Sequence, residues 1–190
     1  MTPSAFRSDG ISLRPFSLDD AHALQAYVNH PDLEGRRYIS GGFPEIAPVS
    51  LQQIEGLIDK WGNAENELHL AVIQRESGEL IGHAECDWDW DPHNPSLSVV
   101  IDPAHQRQGF GSQALRLLLD YLFGSTPAHN ITAWVADWNA PALAFATQRG
   151  FRQAGRLRRA GIRHGTYYDF VILDILRPEW LAEGGRRDAP

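Results

Sequence analysis

Apolar residues recur along this chain with two periods, and the switches between them mark out its elements. Ile11 and Leu13 alternate with polar neighbours and predict a first strand. Ser17-Leu18-Asp19-Asp20 has the pattern of a capping box, and Ala21, Leu24, Tyr27 and Val28 follow at helical spacing. A second box over Ser50-Leu51-Gln52-Gln53 opens the stripe Leu51, Ile54, Leu57, Ile58 and Trp61. Residues 35–48, rich in glycine and proline, read as the loop between these helices. Leu68, Leu70 and Val72 then alternate, Ser77-Gly78 makes a turn, and residues 81–90 predict the next strand.

Asp91-Pro92-His93-Asn94-Pro95 breaks that strand before an apolar run at 97–101. Ala114, Leu115, Leu118, Leu119 and Leu122 recur at three and four residues and predict a helix. Residues 131–136 read as a buried strand. Asn139 then caps a further helix, Pro141 is tolerated in its first turn, and Gly150 ends it. Strands near 152–158 and 167–176 complete the pattern, and 186–190 reads as a frayed tail. The order is strand, two helices, three strands, helix, strand, helix, two strands, which is a mixed α/β layer.

The junction from residue 99 to residue 112 carries the clearest chemistry. An apolar strand passes through a short polar turn into Gln106-Arg107-Gln108-Gly109-Phe110-Gly111-Ser112 at the start of the 114–122 helix. A helix N-terminus has N–H groups without intrahelical acceptors and a dipole that favours negative charge. Gly109 and Gly111 remove the Cβ atoms that would block close approach, so the turn can cradle a phosphate. A nucleoside-triphosphate loop would need Lys-Ser or Lys-Thr after its last glycine, where Ser112-Gln113 stands. A dinucleotide fingerprint would need an acid on a second strand about twenty residues on, and Asp120 falls inside the helix.

This loop resembles the acyl-CoA loop of the GNAT superfamily of N-acetyltransferases, Arg/Gln-x-x-Gly-x-Gly/Ala between a strand and a long helix. Asp137-Trp138-Asn139-Ala140-Pro141-Ala142-Leu143-Ala144-Phe145, ending in Gln148-Arg149-Gly150-Phe151, is similar to the family's Asn-x-x-Ala…Gly-Phe helix. Three further blocks resemble the tail of the RimJ/RimL-type branch: Gly155 to Arg159, Gly165 to Asp169 and Leu176 to Trp180. The opening Leu13-Arg14-Pro15-Phe16…Asp19-Asp20 is similar to that branch too. The resemblance implies one acetyltransferase domain over 1–190, with its core at about 11–180 and a tail at 181–190. It implies a central, mostly antiparallel sheet, flanked by helices and splayed where CoA binds.

The resemblance also implies site roles. Val99, Val100 and Ile101 would bind pantetheine and polarise the thioester through backbone groups. Gln106, Arg107, Gln108, Gly109, Phe110, Gly111 and Ser112 would hold the pyrophosphate, with Asn139 and Phe145 flanking the arm. The family's leaving-thiol acid is a tyrosine seven residues after the motif asparagine, and Ala146 stands there. Ser96 stands where relatives carry a glutamate before the CoA strand.

A base must therefore be sought elsewhere. On the 81–90 strand, His83, Glu85, Asp87 and Asp89 share one face, and Ala84, Cys86, Trp88 and Trp90 share the other. Glu85 or Asp87 is the candidate base, on the expectation that crowding raises at least one carboxyl pKa; a solvated sheet face is the plain alternative. The alternating acids and tryptophans of 87–91 could take a cationic amine or simply divide into core and rim. The histidines lack metal-ligand spacing, and Cys86, the single cysteine, excludes a disulfide. No metal is expected.

Composition narrows the partners. A net charge of −7 argues against nucleic acid, and no apolar stretch approaches the length of a membrane span. The N-terminal residues lack the apolar core of a secretory signal, so a cytoplasmic location is expected. The resemblance implies acetyl transfer from acetyl-CoA, as co-substrate, to a primary amine, foremost a protein N-terminal α-amine. The alternatives are a small amine (polyamine, amino acid or aminoglycoside) and an acyl-CoA-binding module without turnover. A homodimer is compatible with either. The loop at 36–48, with Tyr38 and Phe43, is expected to shape the acceptor pocket.

Overall fold

The computed structural model describes residues 6–33, 48–88, 91–182 and 184. The predicted loop at 36–48 up to residue 47, Asp89, Trp90 and the 186–190 tail lie outside the described residues. The strands are β1 (Ile11–Pro15), β2 (Glu67–Gln74), β3 (Leu80–Asp87), β4 (Ser96–Ile101), β5 (Asn130–Ala136), β6 (Arg152–Arg163) and β7 (Thr166–Leu176). The helices are α1 (Ala21–Val28), α2 (Leu51–Gly62), α3 (Phe110–Ser125), α4 (Ala140–Thr147) and α5 (Arg177–Ala182). The strand order is β1-β2-β3-β4-β5-β7-β6, a mixed α/β architecture with a mostly antiparallel sheet. Two compact units are distinguished, Met1–Asp87 with Ser98–Tyr121, and Trp88–Leu97 with Leu122–Pro190.

In the first unit, β1, β2 and β3 pair antiparallel, Leu13 opposite Val72 and Leu70 opposite Ala84. The helical stripes read from the sequence form its core: Leu24, Tyr27, Val28, Ile54, Leu57, Ile58 and Trp61 are buried together with Val100. Both capping boxes are formed. Ser50 Oγ accepts from Gln53 N–H at 3.2 Å, and Gln53 Oε1 accepts from Ser50 N–H at 2.9 Å. At the first, Asp20 accepts from Ser17 N–H at 2.8 Å and takes both Arg14 guanidinium nitrogens at 2.7 and 2.8 Å. A single turn of 3₁₀ helix, Leu18–Asp20, leads into α1. Asn29 bonds both backbone groups of Val49 in the manner of a strand partner, which ties the end of α1 to the start of α2.

One glycine sets how closely β3 and β4 approach. A Cβ on Gly82 would lie 2.2 Å from the Val100 carbonyl oxygen and 3.0 Å from Ile101 Cα, both backbone atoms that cannot swing aside. Asp102 N–H donates to Ile81 O at 2.9 Å in the same region.

In the second unit, β7 lies between β5 and β6, with Val135 opposite Val171 and Leu157 opposite Phe170. β4 enters by a parallel pairing of Ser96 with Thr132. Two predictions need correction here. The strand expected near 152–158 runs on to Arg163, because its pairing with β7 resumes at Gly161 after an irregularity and is held by backbone rather than by an apolar stripe, whereas β7 lies within one residue of the expected 167–176. β5 was expected to be buried throughout, yet Trp134 is 46% exposed, since only one face of this strand is covered. The unpredicted α5 is fastened by Arg177, whose guanidinium donates to the carbonyls of Thr126 and Ala128 just after α3. Among the described residues, no helix is long and apolar enough to cross a membrane.

Gly82→Ala is expected to destabilise the protein by about 1–3 kcal/mol, because the added methyl forces β3 and β4 apart. Urea denaturation checks this, and an unchanged midpoint would mean that β4 yields without cost.

Candidate active site

The turn after β4 is built by side chains that fasten backbone. Asp102 accepts from Ala104 N–H at 3.0 Å, Gln106 Nε2 donates to Ile101 O at 3.0 Å, and Gln108 Nε2 donates to Ala104 O at 3.3 Å. The two glutamine side chains thus hold the loop; the backbone N–H of Gln106 donates to Pro103 O at 3.4 Å, which corrects its expected role at the pyrophosphate and leaves the N–H groups from Arg107 onward as the ligand-facing parts. Arg107 and Gly109 both take left-handed conformations, φ 60° and 86°, so the chain folds back twice within three residues. Ser112 and Gln113 N–H groups donate to Gly109 O at 3.1 and 3.2 Å as α3 begins. Among the described residues, none accepts from the N–H groups of Arg107, Gln108, Gly109, Phe110 or Gly111.

A Cβ on Gly109 would meet nothing within 4 Å, so the space before these donors is open. The Phe110 ring is buried, leaving its N–H as its contribution. Gln113 Oε1 accepts from Ser8 Oγ at 2.6 Å and Gly10 N–H at 3.0 Å, which anchors the start of α3. Unpaired donors, a helix N-terminus and open space together fit a pyrophosphate. On β4, Val100 packs into the helix-covered core.

The carboxylate face of β3 is not a solvated surface. Register sets His69 opposite Glu85 and Glu67 opposite Asp87, so four polar residues of two strands share one side. Helices α1 and α2 cover it. Trp61 stacks on His69 with ring centroids 4.6 Å apart, and Tyr27 OH lies 2.5 Å from His83 Nδ1. His83 and His69 are buried, and Glu85 Oε1 lies 3.3 Å from His83 Nε2 and 3.8 Å from His69 Nδ1. His69 Nε2 lies 2.6 Å from Glu67 Oε2.

This geometry reverses the expectation of a raised carboxyl at Glu85. Burial opposes its charge, but the two histidines outweigh burial and hold the carboxyl down at about 2. Such a group stays ionised and stores no proton near neutrality. His69 is raised from its ordinary value, because Glu85 and Glu67 together outweigh desolvation. Sequence reading missed His69; its alternation with Leu68 and Leu70 on β2 was the available signal. Asp87 is half-buried. Cys86 faces the opposite side, where burial pushes its thiol up. Among the described residues, no group of three or more His, Cys, Asp or Glu is placed to hold a metal ion.

Residues 11–152 match the model of the acetyltransferase (GNAT) domain. The chain belongs to the GNAT acetyltransferases. It is 25% identical over 169 residues to the uncharacterized N-acetyltransferase YnaD of Bacillus subtilis, covering 88% of this chain and 94% of that protein. It is 28% identical over 153 residues to the spermidine N(1)-acetyltransferase of Vibrio cholerae, covering 79% and 87%. The crystal structure of the V. cholerae spermidine N-acetyltransferase in complex with CoA and spermine superimposes with a TM-score of 0.76 at 25% identity. That match covers 92% of this chain and 99% of the other. As a GNAT acetyltransferase, the protein uses acetyl-CoA as co-substrate, and the loop after β4 fits that ligand's pyrophosphate.

The GNAT helix motif lies in the second unit. Asn139 Oδ1 accepts from Ala142 N–H at 3.2 Å, so it caps α4. Phe145 is half-buried beneath the Arg149 guanidinium, 3.9 Å from its ring centroid. Ala146 is buried and offers no proton.

Gly109→Arg should abolish acetyl-CoA binding in calorimetry while leaving the thermal midpoint within a few degrees, because the side chain fills space now open. Undiminished affinity would remove this loop from the site. A second prediction concerns acid. Glu85 has a depressed folded pKa, so its stabilising contribution is complete above its ordinary 4.5 and is lost as pH falls toward about 2. The stability gap between the wild-type protein and Glu85→Gln should therefore narrow below pH 4.5 in urea titrations. A gap independent of pH would mean that Glu85 is not held by charge.

Proposed function

We propose that the protein acetylates a small cationic primary amine of the polyamine class. The observation that carries this is the acidic face of β2 and β3, where Glu67, Glu85 and Asp87 share one side and Glu67 directly opposes Asp87. Like charges opposed across a ladder repel each other, and a bound ammonium relieves that repulsion. The V. cholerae relative named for spermidine supports the same substrate class.

In this reading, acetyl-CoA supplies an activated thioester when bound. The N–H groups of 107–111, aided by Ser112, hold its pyrophosphate, and backbone groups of Val99, Val100 and Ile101 orient the pantetheine and polarise the carbonyl. Glu85 and Asp87 receive the amine as an ammonium and aim its nitrogen. With Glu85 kept ionised, it serves as an electrostatic anchor and a transit point for the proton.

A second reading, acetylation of a protein N-terminal α-amine, is favoured by the RimJ/RimL-like blocks at 155–159, 165–169 and 176–180. Free-thiol release from acetyl-CoA, measured with spermidine, spermine, amino acids and N-terminal peptides, separates the two when products are identified by mass. Acetylated polyamine is the expected product. Acetylated peptide alone would favour the second reading, and acetyl-CoA binding without turnover on any amine would overturn both.

A further inference from the structure

We propose that Ser98 of β4 contacts the acceptor amine during acetyl transfer, its hydroxyl oxygen accepting an N–H bond that aims the nitrogen lone pair at the thioester. The inference rests on the amine-acetylating reading above, whose carboxylates it supplements, and it holds for any primary amine.

The observation that carries it is an orphaned hydroxyl. Ser98 Oγ is buried and has no hydrogen-bond partner among the described residues. A serine hydroxyl rotates freely and can both donate and accept, so it takes up any partner within reach. Buried without one, it costs stability, and such a group in a folded protein calls for a ligand or a water that completes it. Among the described residues, Ser98 is the one hydroxyl in that condition. The residue as a whole is only half-buried, so the covered oxygen lies a short way from solvent.

Placement ties this oxygen to the site. Val100, two residues on, packs into the core with the apolar stripes of α1 and α2, and strand alternation puts Ser98 on that same face. Asp102 N–H donates to Ile81 O, and a Cβ on Gly82 would meet Val100 and Ile101, so the end of β4 lies against the start of β3. Counting back along both strands in that antiparallel register sets Val100 beside His83 and Ser98 beside Glu85. The hydroxyl therefore links two parts of the site. On one side is the carboxylate face that meets the amine; on the other is the run Val99, Val100 and Ile101 that orients the thioester.

A neutral primary amine attacks with its lone pair and keeps two N–H bonds as it does so. A single acceptor leaves the nitrogen free to turn about one hydrogen bond, whereas two acceptors fix the direction of the lone pair. Glu85 takes one N–H, and Ser98 Oγ takes the other from the strand that holds the thioester. The C–N bond forms and the C–S bond breaks. An acceptor that arrives as an ammonium gives up two protons in all, one ending on the CoA thiol and one in solvent. Ser98 keeps its own proton throughout.

The test pairs stability with turnover in Ser98→Ala and Ser98→Thr. Urea denaturation reads the first. Free-thiol release from acetyl-CoA reads the second, with spermidine or whichever of the amines named above the wild-type protein acetylates. Removing an orphaned hydroxyl breaks no bond in the unliganded protein, so the Ser98→Ala midpoint should equal or exceed that of the wild type. Its kcat should fall by about tenfold or more with KM for acetyl-CoA unchanged, the loss of one directed hydrogen bond. Ser98→Thr, which keeps the oxygen and suits a strand, should recover most of that loss. A lower midpoint in Ser98→Ala would show that the oxygen serves the fold, and an undiminished kcat would show that it does not meet the amine. Ser98→Thr as slow as Ser98→Ala at an unchanged midpoint would show that volume, not oxygen, matters. Each of these overturns the proposal and leaves the acetylation reading standing. A wild-type protein that acetylates no amine would overturn both.

Discussion

A carboxylate on the covered face of a sheet costs several kcal/mol unless positive charge and hydrogen bonds answer it. Glu85 occupies such a position, and much of the first unit is arranged around that cost. Register brings His69 opposite it, alternation brings His83 two residues before it, and both rings are in turn occupied by Glu67 and Tyr27. The helices that cover this face must therefore supply more than apolar surface. Tyr27 presents a hydroxyl, and Trp61 presents a flat ring against His69, within the same stripes that bury Leu24, Ile54 and Leu57. Packing of α1 and α2 and the ionisation of Glu85 are consequences of one arrangement.

The loop after β4 meets the opposite requirement by the opposite means. It must attract negative charge, and it does so with backbone N–H groups at a helix start rather than with side-chain cations. Gln106 and Gln108 spend their amides on Ile101 and Ala104, so the loop keeps its shape whether or not a ligand is present. That preorganisation lowers the ordering cost of binding. Gly82 extends the same economy to β4 by letting the strand approach β3 more closely than a side chain would allow.

These two strategies explain what could be read from the sequence. The helical stripes, both capping boxes and the glycine loop are local patterns, and each appears where the residues put it. The carboxylate face was legible only in part. Alternation on β3 grouped His83, Glu85 and Asp87, but which face of a strand a helix will cover depends on contacts across the fold. His69 belongs to another strand, and only the pairing of β2 with β3 brings it to Glu85. The direction of the Glu85 shift followed from that missing partner. β6 outran its expected end because backbone pairing with β7 resumes at Gly161 beyond an irregularity at 158–160, and no apolar alternation announces that resumption.

The absence of a tyrosine at Ala146 becomes intelligible when the two proton transfers are weighed separately. An alkylammonium with a pKa of about 10.4 is neutral in roughly one molecule of 2,500 at pH 7, a deficit near 4.6 kcal/mol that must be met before attack. A thiolate whose thiol has a pKa of about 8.5 is protonated by neutral water downhill by about 2 kcal/mol, after it has already departed. The amine side needs a device and the thiol side can do without one. The residues follow that proportion: on the polyamine reading the carboxylates of β2 and β3 are what a cationic acceptor would meet, and the motif position of the thiol acid carries only the methyl group of Ala146.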